Sequence, residues 1–237
     1  MPISLNDAFF YYKGTAEQRK AVELLEKAIG PELLADDQPW VIQYRAEPEK
    51  PPTVPGIINP DLMHRLTGYS AASFNEDFCN DFNEMLRATG FDKHVDATQM
   101  LVANLMHESC NFLYMKEIDP GYYLEGRSDL QNTQPGDGPR FRGCGPLQVT
   151  GRGHATAFYE YLKREKGIDE PNILSIGTDW TADHYAFQIA ISWIQNNGLL
   201  NVCIEKGFDE CCYRINGGWN GFDDRKAKFQ ICQKEIR

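Results

Sequence analysis

DATQMLVANLMHESCNFLY, residues 96–114, has apolar side chains that recur at helical spacing, with one carboxyl group set among them. Leu101, Leu105, Glu108 and Phe112 are four, three and four positions apart, so their side chains share one stripe of a helix. The spacing predicts a helix from about Asp96, with Gln99 as its capping partner, to about Tyr114. A carboxyl group among apolar neighbours is poorly hydrated as an anion, which suits Glu108 to hand a proton to a leaving oxygen. The competing reading is a glutamate at the rim of the stripe, paired with Lys or Arg and serving only structure.

Cleavage of a glycosidic bond with inversion needs a second carboxylate, about 6.5–9.5 Å from the first, to act as base on water. Glu117, Asp119, Glu125, Asp129 and Asp137 follow. On an unbroken helix Glu117 would lie about 13.5 Å further along the axis and on the opposite face. It can serve only if the helix ends first. Pro120-Gly121 turns the chain just beyond, so an end between Tyr114 and Lys116 is expected. His107-Glu108 begins the zinc-protease pattern H-E-x-x-H, but Asn111 stands where the second histidine belongs. The zinc-deaminase pattern also fails, because no P-C-x-x-C follows. No metal site is expected, and no cofactor.

Outward from this segment the chain reads as mainly α-helical. A helix over residues 16–29 is started by Thr15 with Gln18 and stopped by Gly30-Pro31. Residues 46–60 hold five prolines and read as an extended linker. Ser73 with Glu76 predicts a capping box, followed by Phe74, Phe78, Phe82 and Met85 at helical spacing and closed by Gly90. Residues 119–145 are rich in Gly, Asp, Asn and Pro and form a loop too long to be a plain connector. Helices are expected again at 153–166, 180–197 and, after the Gly217-Gly218 turn, 222–235.

The bulk numbers narrow the function. With 237 residues, 42% hydrophobic and 24% charged, the chain can form one large domain or a catalytic domain with an appendage. A net charge of −10 argues against general affinity for nucleic acid or an acidic membrane surface. No run is long and apolar enough for a membrane span, and MPISLNDAFFYYKG shows no export signal. The seven cysteines, at 79, 110, 144, 203, 211, 212 and 232, are odd in number and scattered without a C-x-x-C pair. They read as reduced thiols, with Cys211-Cys212 partly buried in a helix.

Three motifs in order give the reading its specificity: LMHESCNF at 105–112, GRSDLQNTQPGDGPRFRGCGPLQVTGRGH at 126–154 and INGGWNGFDDRKAKF at 215–229. Together they resemble the family-19 chitinases and, more closely, the related phage endolysins. INPDLMHRLTGY at 58–69 extends the likeness upstream. The resemblance implies a lysozyme-like helical domain with a cleft, acting without a metal on β-1,4-linked amino-sugar polymers. It assigns Glu108 as general acid and Glu117 as base, with Glu125 in reserve because the chitinase branch spaces its base differently. Gln148 and Thr150 would orient water and bind sugar amides, and His107, Asn216 and Arg225 would line the cleft. Each of these helpers also has an ordinary structural reading. Two positions depart from the pattern: Gln131 where a glycine is common, and Cys144 where an arginine is usual. The second would remove a fixed positive charge near the cleft.

The organisation expected is a small helical region at 1–45, a proline-rich linker at 46–60 and a lysozyme-like domain at 61–237. The substrate expected is peptidoglycan, because GDGPRFRG resembles the endolysin branch. The context would be a bacteriophage, with two placements. A free endolysin would wait in the host cytoplasm; a virion-associated lysin would use residues 1–45 to dock on tail or baseplate proteins. A chitinase, or a dead carbohydrate-binding module of a phage tail, are the alternatives.

Overall fold

The computed structural model describes residues 56–237. The helix expected at 16–29, the docking region at 1–45 and the linker up to Pro55 lie outside the described residues. Ten α-helices follow: α1 (Pro60–Thr67), α2 (Glu76–Thr89), α3 (Val95–Glu108), α4 (Asp137–Arg140), α5 (Arg152–Tyr161), α6 (Asn172–Ser175), α7 (Thr178–His184), α8 (Ala186–Asn196), α9 (Leu199–Asn216) and α10 (Phe222–Glu235). Among the described residues there is no β-strand beyond isolated bridges at Lys116, Cys144 and Val149. The expected mainly α class holds.

The last residues of the proline-rich stretch belong to this body. Ile58 is buried, and its backbone is clasped on both sides by Asn83, which accepts from Ile58 N at 2.9 Å and donates to Ile58 O at 2.7 Å. Asn59 caps α1 by accepting from Leu62 N at 2.9 Å, and Pro60 takes the first helical position, where its missing N–H costs nothing.

α3 is the central helix, packed against α10 and α9, while α2 packs against α8. From Ala97 to Met106 every residue except Met100 is buried. The helix is therefore enclosed nearly all round and is not a one-sided stripe. Polar residues inside it are satisfied: Thr98 Oγ1 donates to Phe91 O at 2.7 Å and Gln99 Nε2 to Ile236 O at 2.9 Å. Gln99 thus ties α3 to the far end of the chain and plays no capping part. The α2 cap is likewise Asn75, accepting from Phe78 N at 2.9 Å, and not Ser73. Both residue types cap well, and the one adjacent to the first helical turn serves.

Helix limits differ elsewhere. α5 runs from Arg152 into a π-helical turn at Leu162–Lys166. The helix expected at 180–197 is two helices, broken at Tyr185, and α9 was not anticipated because Gly207, at φ 78°, interrupts it. α10 matches its expected limits.

Candidate functional site

The helix carrying Glu108 ends on that residue, earlier than the spacing predicts. Cys110, Asn111 and Phe112 follow with φ of 49°, 58° and 67°. Three successive non-glycine residues in the left-handed region cost on the order of 1–3 kcal/mol each and persist only when their surroundings hold them. Here Phe112 is buried against Phe78 and Phe82, with ring centroids 5.8 and 5.3 Å away. Ser109 Oγ accepts from Phe112 N at 2.9 Å and donates to Leu105 O at 2.6 Å, while Asn111 N donates to Met106 O at 2.7 Å. The helix thereby ends before Glu117, which is the condition set for that residue.

Glu108 is joined to Arg225 of α10, whose Nη2 donates to Glu108 Oε1. The guanidinium is buried, and its Nη1 donates to Asn104 Oδ1 at 2.8 Å. Asn104 is one turn back on α3, so α3 presents two acceptors to the planar fork of one arginine. Glu108 keeps 19% side-chain exposure, against 2% for Arg225. The stripe argument lacked this cation. The pairing with an arginine, foreseen only in the structural reading of Glu108, is present. Next to it His107 Nδ1 lies 2.6 Å from Asp224 Oδ2. Burial raises the Asp224 carboxyl, but the bond from His107 and the Lys228 charge outweigh it and hold the group below its ordinary value. Gly221 lies under the His107 ring: a Cβ there would meet Nε2 at 2.3 Å, so α10 approaches α3 this closely only through a glycine.

Glu117 is held by a separate polar set. Its N–H donates to Gly143 O at 2.9 Å, and its carboxylate accepts from Gly143 N at 2.7 Å and from the Tyr123 hydroxyl at 2.6 Å. Burial first, and then the carboxylate it binds, push the Tyr123 hydroxyl up to about 12, so it remains a donor throughout the neutral range. Gln148 is adjacent. A Cβ on Gly143 would meet Gln148 Oε1 at 2.6 Å and Glu117 Cβ at 3.2 Å. Gln148 itself has φ 51° and donates to Gly145 O at 3.0 Å, and Thr150 Oγ1 donates to Gln148 O at 2.8 Å.

The long loop between Asp119 and Gly151 is ordered by buried polar ties. Asp137 is fully buried and accepts from Arg152 Nε and Nη2 at 2.8 and 2.5 Å and from Gln134 N at 2.9 Å. Asn132, also fully buried, donates to Leu124 O at 3.0 Å and accepts from Arg152 N at 2.8 Å. Arg142 pairs with Asp179 at 2.6 Å, and Lys116 lies 3.3 Å from the same carboxylate.

The structure thus joins Glu108, Arg225 and His107 in one set on α3 and α10, and Glu117, Gln148 and Thr150 in another on the loop. Glu125 belongs to neither. Its two carboxylate oxygens accept from Gly136 N and Gly138 N at 2.7 and 2.8 Å, pinning the loop, which gives the reserve base a structural occupation. Asn216 ends α9, and its Nδ2 is buried without a partner, as is Asn111 Oδ1. Cys144 is buried, facing Phe141, Val149 and Ile189, and burial pushes its thiol up to about 12. Its side chain lies in the core, so the position does not place a side chain in the site. Asn104, Tyr123 and Asp224 were not anticipated. Asn104 lies one helical turn before Glu108, which is a usable signal; Tyr123 carried none.

No group of three His, Cys, Asp or Glu side chains that could hold a metal is present among the described residues. No family model matches the chain. A crystal structure of a mutant of chitinase C is similar to it, with a TM-score of 0.56 at 16% sequence identity, over 77% of this chain and 94% of that one. At that identity the likeness is one of fold, and the chain has the mainly helical, chitinase-like fold that its three motifs imply.

Proposed function

We propose that the chain hydrolyses β-1,4 bonds between amino sugars by an inverting, two-carboxylate mechanism. The observation that carries this reading is the pair of independently braced carboxylates, Glu108 on Arg225 and Glu117 on Tyr123 and Gly143, separated by an abrupt helix end in a chitinase-like fold. Glu108 Oε1 is fixed by Arg225, which leaves Oε2 as the oxygen free to face the leaving oxygen as general acid. Glu117, braced on the loop, takes a proton from the attacking water. Bracing by the buried guanidinium on one carboxylate, and by a backbone N–H and a phenol on the other, supplies the fixed placement on which such proton transfers depend. Gln148 and Thr150, beside Glu117, are assigned to the water and to sugar amides.

Peptidoglycan is the polymer we favour, on the likeness of GDGPRFRG to the endolysin branch; the fold likeness to a chitinase favours chitin as a second reading. A carbohydrate-binding module without activity is the further alternative, raised by Cys144 standing where an arginine is usual. The setting we propose is a bacteriophage lysin, free in the host cytoplasm or mounted on the virion through residues 1–45.

The test is clearing of permeabilised Gram-negative cell walls and release of reducing ends by the wild type, Glu108→Gln and Glu117→Gln. Loss of an acid or base costs about a hundredfold to ten-thousandfold in rate, so both variants should fall by that much while keeping the wild-type circular dichroism spectrum. Full activity in either folded variant would overturn the assignment of that residue. A wild type that frees no sugar ends from walls it binds would overturn the enzyme reading altogether.

A further inference from the structure

Among the described residues five aromatic side chains are exposed: Tyr114, Tyr122, Tyr123, Tyr213 and Trp219. All five lie in two short segments. Residues 114–123 contain Glu117, and residues 213–219 lead into Gly221 and Arg225. Scattered apolar exposure is ordinary on a protein surface, but confinement to the flanks of two carboxylates is not what scatter produces.

Trp219 is the most developed of them. It sits at the tip of the turn between α9 and α10, which is bracketed by Gly217 and Gly221, both at φ 70°. The indole is braced by Tyr213, 5.5 Å away and tilted at 52°, and by the edge of Phe222 at 5.3 Å. Phe222 rests on Phe208 at 6.0 Å, and Phe208 stacks flat on Phe229 at 4.3 Å. Four aromatic rings thus back a residue that is still 58% exposed. Fixing an indole while leaving it open serves a flat, weakly apolar partner that arrives later, since ring order is established before binding. The turn is continuous with the site, because Gly221, two residues on, lies against the His107 ring beside Glu108.

We propose that Trp219 is a stacking platform for one pyranose ring of the polymer, holding the chain beside Glu108. The inference rests on the glycosidase reading above and extends it to a residue outside the acid and base sets. A pyranose ring fits because one of its faces is lined with C–H groups that lie flat on an indole, while its hydroxyl and acetamido groups stand at the rim.

The experiment uses the full chain and two probes, the β-1,4-linked N-acetylglucosamine hexamer and solubilised peptidoglycan glycan strands. Binding is measured by calorimetry in Glu108→Gln protein with and without Trp219→Ala or Trp219→Phe, and hydrolysis by steady-state kinetics in proteins with native Glu108. Loss of one aromatic contact is worth about threefold to tenfold, so Trp219→Ala should raise Kd and KM by that factor with kcat nearly unchanged, and Trp219→Phe should restore most of it. As a measurement independent of truncation, a change of tryptophan emission on adding either probe should disappear in Trp219→Phe. Equal Kd for parent and Trp219→Ala on both probes, an emission change that survives in Trp219→Phe, or a parent that binds neither probe would overturn the platform. If Trp219→Ala weakens binding while Glu108→Gln hydrolyses normally, the platform stands and the assignment of Glu108 falls.

Discussion

Replacing Asp137 by Asn should unfasten the loop that carries the Glu117 brace. Asp137 is fully buried and takes two bonds from Arg152 and one from the Gln134 N–H. Burial raises its carboxyl, but the Arg152 and backbone bonds outweigh this and hold it below its ordinary value. Asparagine keeps the shape and removes the charge, turning an amide N–H₂ toward the donors of a guanidinium. Breaking a buried ion pair costs about 3–5 kcal/mol. Arg152 keeps 19% exposure and a bond to Gln134 Oε1 at 3.0 Å, so part of its charge can hydrate, and about 2–3 kcal/mol is the reasoned loss. For a body of this size each kcal/mol moves Tm by about 2–4 °C, which gives a drop of about 4–12 °C at pH 7. The sign with pH follows from the depressed native value. The contribution is complete above the unfolded aspartate value of about 3.9 and is lost as pH falls through the lower native one, so the gap between wild type and Asp137→Asn should close in acid. Thermal melts of both proteins from pH 7 to pH 2.5 test this. An equal Tm at pH 7, or a gap that stays constant down the series, would refute the reasoning.

Two further outcomes follow from the same geometry. Arg225→Lys keeps the charge but loses the fork that serves Asn104 and Glu108 together, so hydrolysis should fall at least about tenfold with a stability loss of about 1–3 kcal/mol, read from steady-state rates and denaturant melts; activity within twofold of wild type would mean that the fork is idle. Cys110 is the one exposed cysteine of the seven, while burial pushes Cys79 and Cys212 up to about 11 and Cys144 and Cys232 up to about 12. Native protein at pH 8 should therefore release one rapid equivalent with a chromogenic disulfide and the rest only on unfolding, and three or more rapid equivalents would contradict that burial.

Local signals were legible where local chemistry decides. The Phe78, Phe82 and Met85 periodicity and the Gly90 stop mark α2, and α10 keeps its expected limits, because spacing and glycine termination act over a few residues. Signals failed where tertiary contacts decide. At 110–112 the only local stop signal is Asn111, which like glycine tolerates the left-handed region; its neighbours carry none, and Phe112 is held there by the aromatic core it enters. Gln99 reads as a cap only until Ile236, 137 positions away, takes its amide. Arg225 has the look of a solvated helix residue, and only the docking of α10 on α3, across 117 positions, buries it beside Glu108. The motif resemblance could name Arg225 without this contact because motif order carries information that periodicity does not.

Three unfavourable features converge on Glu108. A carboxylate at the last position of a helix faces the negative end of the macrodipole, which favours cations there. The guanidinium opposite is removed from water almost completely, which is expensive unless its partners are well placed. The next turn forces three side-chain-bearing residues into a conformation that glycine would take without strain. What the present arrangement obtains is a partly open carboxyl group with one oxygen fixed, at a helix end beyond which Glu117 is braced on Tyr123 and Gly143. Strain concentrated in this way at a single helix end is what the proposed chemistry would require of a carboxyl group held still, and the Glu108→Gln and Glu117→Gln rates test that reading.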